Sequence, residues 1–316
     1  MGTDVDDALC LALALASPEI ELVAVTHVSR DTRLRAAITR RLLELAGRPE
    51  IPVHPGCIKP LEGGEAFAWF GHEAKGIVDP EEVVDASISK EDSVDALIRL
   101  FRSDPELELV AVGPLTNIAA ALRREPTLAK SISQLTIMGG HLRSISYGGH
   151  VFHYGIDYNL SSDPAASEIV LKAGIPTRLV TADVTLQVWM SEGDLQRLEA
   201  TGHPFYAALV RAIRHWTPIM NKIFSHLGAR MDADNVAFLH DPLALACVYD
   251  ESFCTFQDLY IEATRLNGIF RSLEHRNPTP DAHVMRCALS VASSRFQTHF
   301  MSRLLSFPPQ PLAPNP

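Results

Sequence analysis

The chain alternates between two hydrophobic periods. Residues 8–16 form an unbroken Leu/Ala run that predicts a buried helix, closed by Pro18. Residues 21–26, rich in valine, predict a strand. Residues 32–47 return to the helical period, with leucines at 34, 42, 43 and 45, arginines at 33, 35, 40 and 41, and Gly47 as C-cap. A short strand at 51–54 precedes a long loop, 55–90, rich in Gly, Pro and charge. The rhythm resumes with helix 93–101, strand 107–112, helix 117–123 and strand 134–138. A Gly/Tyr/His-rich loop at 141–160 leads to a helix opened by Asp163-Pro164. Strand 176–180, a long helical stretch 191–227, a helix at 242–249, strand-like runs at 256–263 and 284–291 and a last helix at 294–305 complete the pattern.

Such alternation predicts an α/β chain with a Rossmann-like, mainly parallel sheet and helices on both faces. No repeat or linker divides it, so residues 1–306 read as one domain, followed by a Pro-rich, disordered tail, 307–316. Ligands of such sheets sit beyond the carboxyl ends of the strands, which makes the loops after each strand the places to search.

Charge adds a restriction. A net charge of −10 over 316 residues excludes a general nucleic-acid binder, which needs a basic face, and leaves room for an acidic cluster holding a cation. No run of 18 apolar residues is present, so no membrane span is expected. Five scattered cysteines without a CxxC pair read as reduced thiols of a cytoplasmic protein.

Five places carry candidate chemistry. Asp4, Asp6 and Asp7 crowd three carboxylates into the start of a helix. One or two acids there serve the helix dipole, whereas three repel one another unless a hard cation joins them. His240-Asp241-Pro242 places a histidine and an acid at another helix start. The acid suits a cap or a metal ligand, and the histidine suits a structural hydrogen bond or a general acid. Gly113-Pro114-Leu115-Thr116-Asn117 reads as a turn, or as backbone carbonyls offered to a cation. Met138-Gly139-Gly140 allows close backbone approach to a ligand. Asp157 and Asn159 form a turn or hydrogen-bond a polyol.

Taken in order, GTDVDDALCLALAL, VAVTHVSRDT, LLELAGRPEIPVHPG, VAVGPLTNIAAAL, LTIMGG, DYNLSSDPAAS and LHDPLA resemble the nucleoside hydrolases, the inosine–uridine-preferring N-ribohydrolases, from residue 2 to about 250 and more weakly to about 305. The resemblance implies calcium-dependent hydrolysis of the N-glycosidic bond of a ribonucleoside, giving ribose and free base, by an enzyme that forms dimers or tetramers. It implies Asp7, Asp241 and the Thr116 carbonyl as Ca2+ ligands. Asp6, Asp31, Met138, Asp157 and Asn159 become contacts to the sugar, and His240 the acid that protonates the leaving base. Asp31 stands where the family has asparagine, and Asp157 where it has glutamate. The family motif DTDxG, whose second aspartate is both ligand and general base, aligns so that Met1 fills the x. The reading therefore expects one further strand ahead of Met1, and it makes Asp4 the only acid near the position of that base. The alternative is a catalytically impaired nucleoside- or ribose-binding relative on the same fold. A metal-dependent phosphohydrolase would need a Gly-rich phosphate loop with lysine, and none is visible.

Overall fold

The computed structural model describes residues 1–2, 4–64, 72–78, 88–266 and 269–307. In chain order the elements are α1 (Asp6–Ala16), β1 (Val25–Thr26), α2 (Thr32–Leu45), β2 (Val53–His54), α3 (Ser93–Ser103), β3 (Leu109–Ala111), α4 (Thr116–Arg124), β4 (Leu135–Met138), β5 (Ile145–Tyr147) and β6 (His150–Phe152). They continue with α5 (Tyr158–Ser162), α6 (Pro164–Leu171), β7 (Thr177–Val180), α7 (Ala182–Thr185), β8 (Trp189–Ser191), α8 (Glu192–Ala200) and α9 (Pro204–His226). The chain then forms β9 (Asn235–Phe238), α10 (His240–Tyr249), β10 (Cys254–Leu266), β11 (Ile269–His275), β12 (Ala282–Val291) and α11 (Ser293–Ser306).

The main sheet has the order β11-β10-β12-β7-β4-β3. Strands β12, β7, β4 and β3 are parallel to one another, as the alternation requires, while β10, β11 and β12 run antiparallel. The α/β expectation holds, with an antiparallel ribbon added on one side. β11 escapes the sequence reading because its outward residues are mixed. The stretch 191–227 is two helices: α8 ends at Ala200, and Gly202, with φ of +65°, turns the chain into α9. Most of the tail, 308–316, also lies outside the described residues.

Helix α1 is buried nearly all round, as its Leu/Ala run predicts, with Asp7 its one half-exposed residue. It packs on α10 and α11, so the first turns of α1 and α10, both carrying aspartates, are brought together.

β1 and β2 pair in parallel but form a separate two-stranded sheet, and β3 is the edge of the main sheet. Both free edges, at 26–29 and 109–113, line one open cleft of about 790 Å3 measured out to its mouth. The floor of the cleft is tied by Asn117, which donates from Nδ2 to the His27 carbonyl (2.8 Å) and accepts the Cys57 N–H (2.9 Å). Gly56 completes that floor, since a Cβ there would meet the His27 carbonyl and the Asn117 and Ser93 side chains.

Candidate active site

Four helix N-termini supply the chemistry. Asp6 and Asp7 open α1, Thr116 opens α4, Asp157 caps α5 with Asn159 in its first turn, and His240 and Asp241 open α10. α1, α4 and α10 begin without a side-chain cap. Their first N–H groups and dipoles therefore face whatever negative charge collects there.

Asp6, Asp7 and Asp241 each offer one carboxylate oxygen, and these atoms lie within 4.8 Å of one another. Asp6 and Asp241 are buried. Both carboxyls are pushed well above the usual range, first by burial and then by the other aspartates. Asp4 belongs to the same neighbourhood and is pushed up to about 7, chiefly by burial, with Asp7 adding to it. The Asp6 carboxylate is hydrogen-bonded by the Asp7 N–H (3.0 Å), and the Met1 ammonium lies 3.0 Å from Asp7 Oδ1. Crowded, dehydrated carboxylates must either take up protons or gather around positive charge. An all-oxygen, multiply anionic donor set of this kind suits a hard divalent cation such as Ca2+.

Of the residues expected at the site, the structure gathers Asp6, Asp7 and Asp241, and Asp7 shares the wall of the cleft with Asn159. Asn159 Nδ2 donates to the Met138 carbonyl (3.0 Å) and lies 3.3 Å from its sulfur, joining the end of β4 to α5. Asp157 Oδ1 accepts the Leu160 N–H (3.0 Å), while its buried Oδ2 has no hydrogen-bond partner. Burial pushes this carboxyl up to about 6. Asp31 is not drawn into the cluster. It is exposed and caps α2, its Oδ1 accepting the Leu34 N–H at 2.9 Å. Sequence spacing could not separate a cap from a ligand there, because both uses need the same short acid after a strand.

His240 is held from two sides. Its Nδ1 lies 2.7 Å from Thr185 Oγ1, and its ring stacks on Phe238 at 5.1 Å. Burial pushes its pKa down to about 4. Phe238 continues into Phe224 and Tyr147, and Phe224 into Phe152, so an aromatic wall extends from the histidine to the β5–β6 hairpin. That hairpin turns through Gly148 and Gly149, with φ of +58° and +81°, and a Cβ on Gly148 would collide with the Arg230 carbonyl. Trp216 is buried in the core and stacks on His72 at 5.2 Å. His72 belongs to the turns at 72–78, which rest on α9 through Arg211 Nε and the Gly76 carbonyl at 3.0 Å.

Sequence reasoning missed two supports. Thr185 lies in a short helix without any motif. Asp163, read only as a helix start, accepts from Thr116 Oγ1 (2.8 Å), the Leu61 N–H (2.8 Å) and the Ala166 N–H (3.1 Å). It thereby fixes the residue whose carbonyl is the expected cation ligand.

This geometry can be set beside known proteins. The family model described as inosine-uridine preferring nucleoside hydrolase matches residues 1–298. A probable uridine nucleosidase of Oryza sativa subsp. japonica is 28% identical over 263 residues, 80% of this chain and 76% of the relative. The pyrimidine-specific ribonucleoside hydrolase RihA of Enterobacter sp. (strain 638) is 31% identical over 263 residues, 81% and 79% of the two chains. Among solved structures, a plant nucleoside hydrolase superposes with a TM-score of 0.82 at 25% identity, covering 97% of each chain. A purine-preferring ribonucleoside hydrolase from Gardnerella vaginalis gives 0.81 at 25% identity and the same coverage. The chain belongs to the inosine-uridine preferring nucleoside hydrolases, enzymes that hydrolyse the N-glycosyl bond of ribonucleosides.

Proposed function

We propose that the acid cluster and the cleft beside it bind the ribose of a nucleoside through a Ca2+ ion, and that the chain releases ribose and free base. The observation that carries this reading is the convergence of three carboxylate oxygens within 4.8 Å at the paired N-termini of α1 and α10. Asp7, Asp241 and the Thr116 carbonyl hold the ion, with the Asp6 carboxylate beside them. A Ca2+ ion held by these residues would supply a hard Lewis acid beside the sugar and lower the pKa of a nearby water.

The chain's own groups do the rest. Asp157 Oδ2, buried and unpartnered, accepts a sugar hydroxyl, and Asn159 and the Met138 carbonyl shape the same wall. Scission of a ribosyl C–N bond leaves positive charge on the sugar, which the surrounding carboxylates favour. His240, held by Thr185, presents its Nε2 edge to the departing base. Asp4, with a carboxyl near 7, is the acid poised to take the proton of the attacking water. Asp31 enters this reading only as the exposed cap of α2. We place the chain in the cytoplasm as a homo-oligomer. Its described cysteines are free thiols, and no described helix is long and apolar enough to cross a membrane.

One observation favours a second reading, a nucleoside-binding relative with weak turnover. Among the described residues the cleft runs open between β1 and β3 beside Asp7, and an open site admits bulk water that screens its charges. A reducing-sugar assay with inosine and uridine, with and without calcium, separates the two. Ribose release that needs calcium and disappears in Asp241→Asn supports the hydrolase. Nucleoside binding by calorimetry without ribose release leaves only the binding protein.

A further inference from the structure

We propose that Cys247 and Cys254 are a thiol–disulfide exchange site, which a small-molecule disulfide converts to an intramolecular disulfide. The inference is independent of the hydrolase reading and lies at the far end of α10 from His240 and Asp241.

The geometry is specific to this pair. Cys247 is in the last turn of α10 and Cys254 opens β10, with only the single turn at Glu251–Phe253 between helix and strand. Their sulfurs are 3.8 Å apart, the Cys247 S–H donating to the Cys254 sulfur. A disulfide needs about 2.05 Å between sulfurs. The movement required is small, and β10 has somewhere to take it, because its pairing with β12 is irregular between Thr255 and Phe256, next to Cys254. Cys287 is buried in the second core cluster, Cys10 shares the first cluster with Cys247 but is carried by α1, and Cys57 lies in the loop after β2.

The order of events follows from exposure and proton position. Cys247 is fully buried, whereas Cys254 is half-buried. The hydrogen bond to Cys254, and then burial, hold the Cys247 thiol well above its ordinary pKa, while the Arg178 guanidinium acts the other way. Cys254, the more exposed of the two, is therefore the sulfur that meets an external reagent. Its thiolate attacks one sulfur of glutathione disulfide, the S–S bond breaks, and one glutathione thiolate leaves. Cys247 then gives up its proton and attacks Cys254 Sγ, expelling the second glutathione. Two protein thiols lose two electrons in total, and one disulfide becomes two thiols.

The test uses the folded full chain incubated with glutathione disulfide, followed by thiol titration and mass spectrometry. The expected result is a fall from five titratable thiols to three and a mass loss of about 2 Da, reversed by dithiothreitol. Cleavage after Glu251 should leave the two cysteine peptides joined until reduction. Cys247→Ser should keep one glutathione attached at Cys254, and Cys254→Ser should keep its four remaining thiols. Retention of all five thiols in the wild-type chain, a mixed disulfide at Cys254 that never resolves, or a bridge through Cys10, Cys57 or Cys287 would each overturn the proposal.

Discussion

At the residue scale, Thr185 and Asp157 make the sharpest demands. Thr185 bonds His240 Nδ1 and so leaves Nε2 as the ring nitrogen that the proposed function turns toward the base. Thr185→Val keeps the volume but removes that bond. We expect kcat to fall about tenfold or more, within the usual worth of a positioned acid, with KM little changed and Thr185→Ser restoring most of it. A parallel loss in KM would show that the threonine serves only packing. Asp157 has a folded pKa near 6 against an ordinary 3.8, so the folded state holds its proton more tightly than the unfolded chain. Its stabilising effect is complete below pH 3.8 and disappears as pH rises through 6. The difference of about two units corresponds to roughly 3 kcal/mol. Asp157→Asn keeps the acceptor for the Leu160 N–H and removes the titration. Denaturant melts should find the variant gaining on the wild type between pH 4 and pH 7, and parallel curves would refute the assignment. The acids and His240 were legible in the sequence because short polar residues at helix starts after apolar strands have few uses. Thr185 was not, since nothing in a local stretch says which side chain will meet it from 55 residues away.

At the element scale, the free edges of β1 and β3 give a direct test. Val25 and His27 donate their N–H groups toward β2, and Leu109 donates toward the chain leading into β4. By the two-residue alternation of a strand, the N–H groups of Thr26, Val28, Val110 and Val112 point the other way, to the cleft. Hydrogen exchange should be faster at these four than at Val25, His27, Leu109 and Ala111. Equal protection would mean that the cleft closes in solution. The strands β3, β4 and β7 were legible because parallel core strands read as short apolar runs. The β5–β6 hairpin and β11 were not, because their residues alternate poorly and are fixed by partners distant in sequence, such as Arg230 against Gly148.

At the scale of the whole molecule, the net charge of −10 acquires a location. Part of the acidic excess is buried where α1 meets α10, and folding must bring those carboxylates together at a cost. A cation that binds only the folded state returns stability by mass action, about 2.7 kcal/mol at one hundred times its dissociation constant. For a chain of this size that is a rise in Tm of roughly 5 °C or more. Calcium should produce this rise in the wild type. Asp241→Asn should melt higher than the wild type without calcium, because a repulsive buried charge is gone, and should lose the calcium response. A calcium-independent Tm in the wild type would remove the cation from the site. The sequence by itself determined the α/β rhythm, the buried α1 and the family motifs, since these rest on local periodicity and on the order of short segments. Only the tertiary structure decided that Asp6, Asp7 and Asp241 meet while Asp31 stays a cap, that Thr185 bonds His240 and Asp163 bonds Thr116, and that, among the described residues, two strand edges remain open beside the cleft. The first of those outcomes depends on how α1 and α10, more than two hundred residues apart in sequence, pack, and the burial that packing imposes is what turns ordinary aspartates into a candidate cation site.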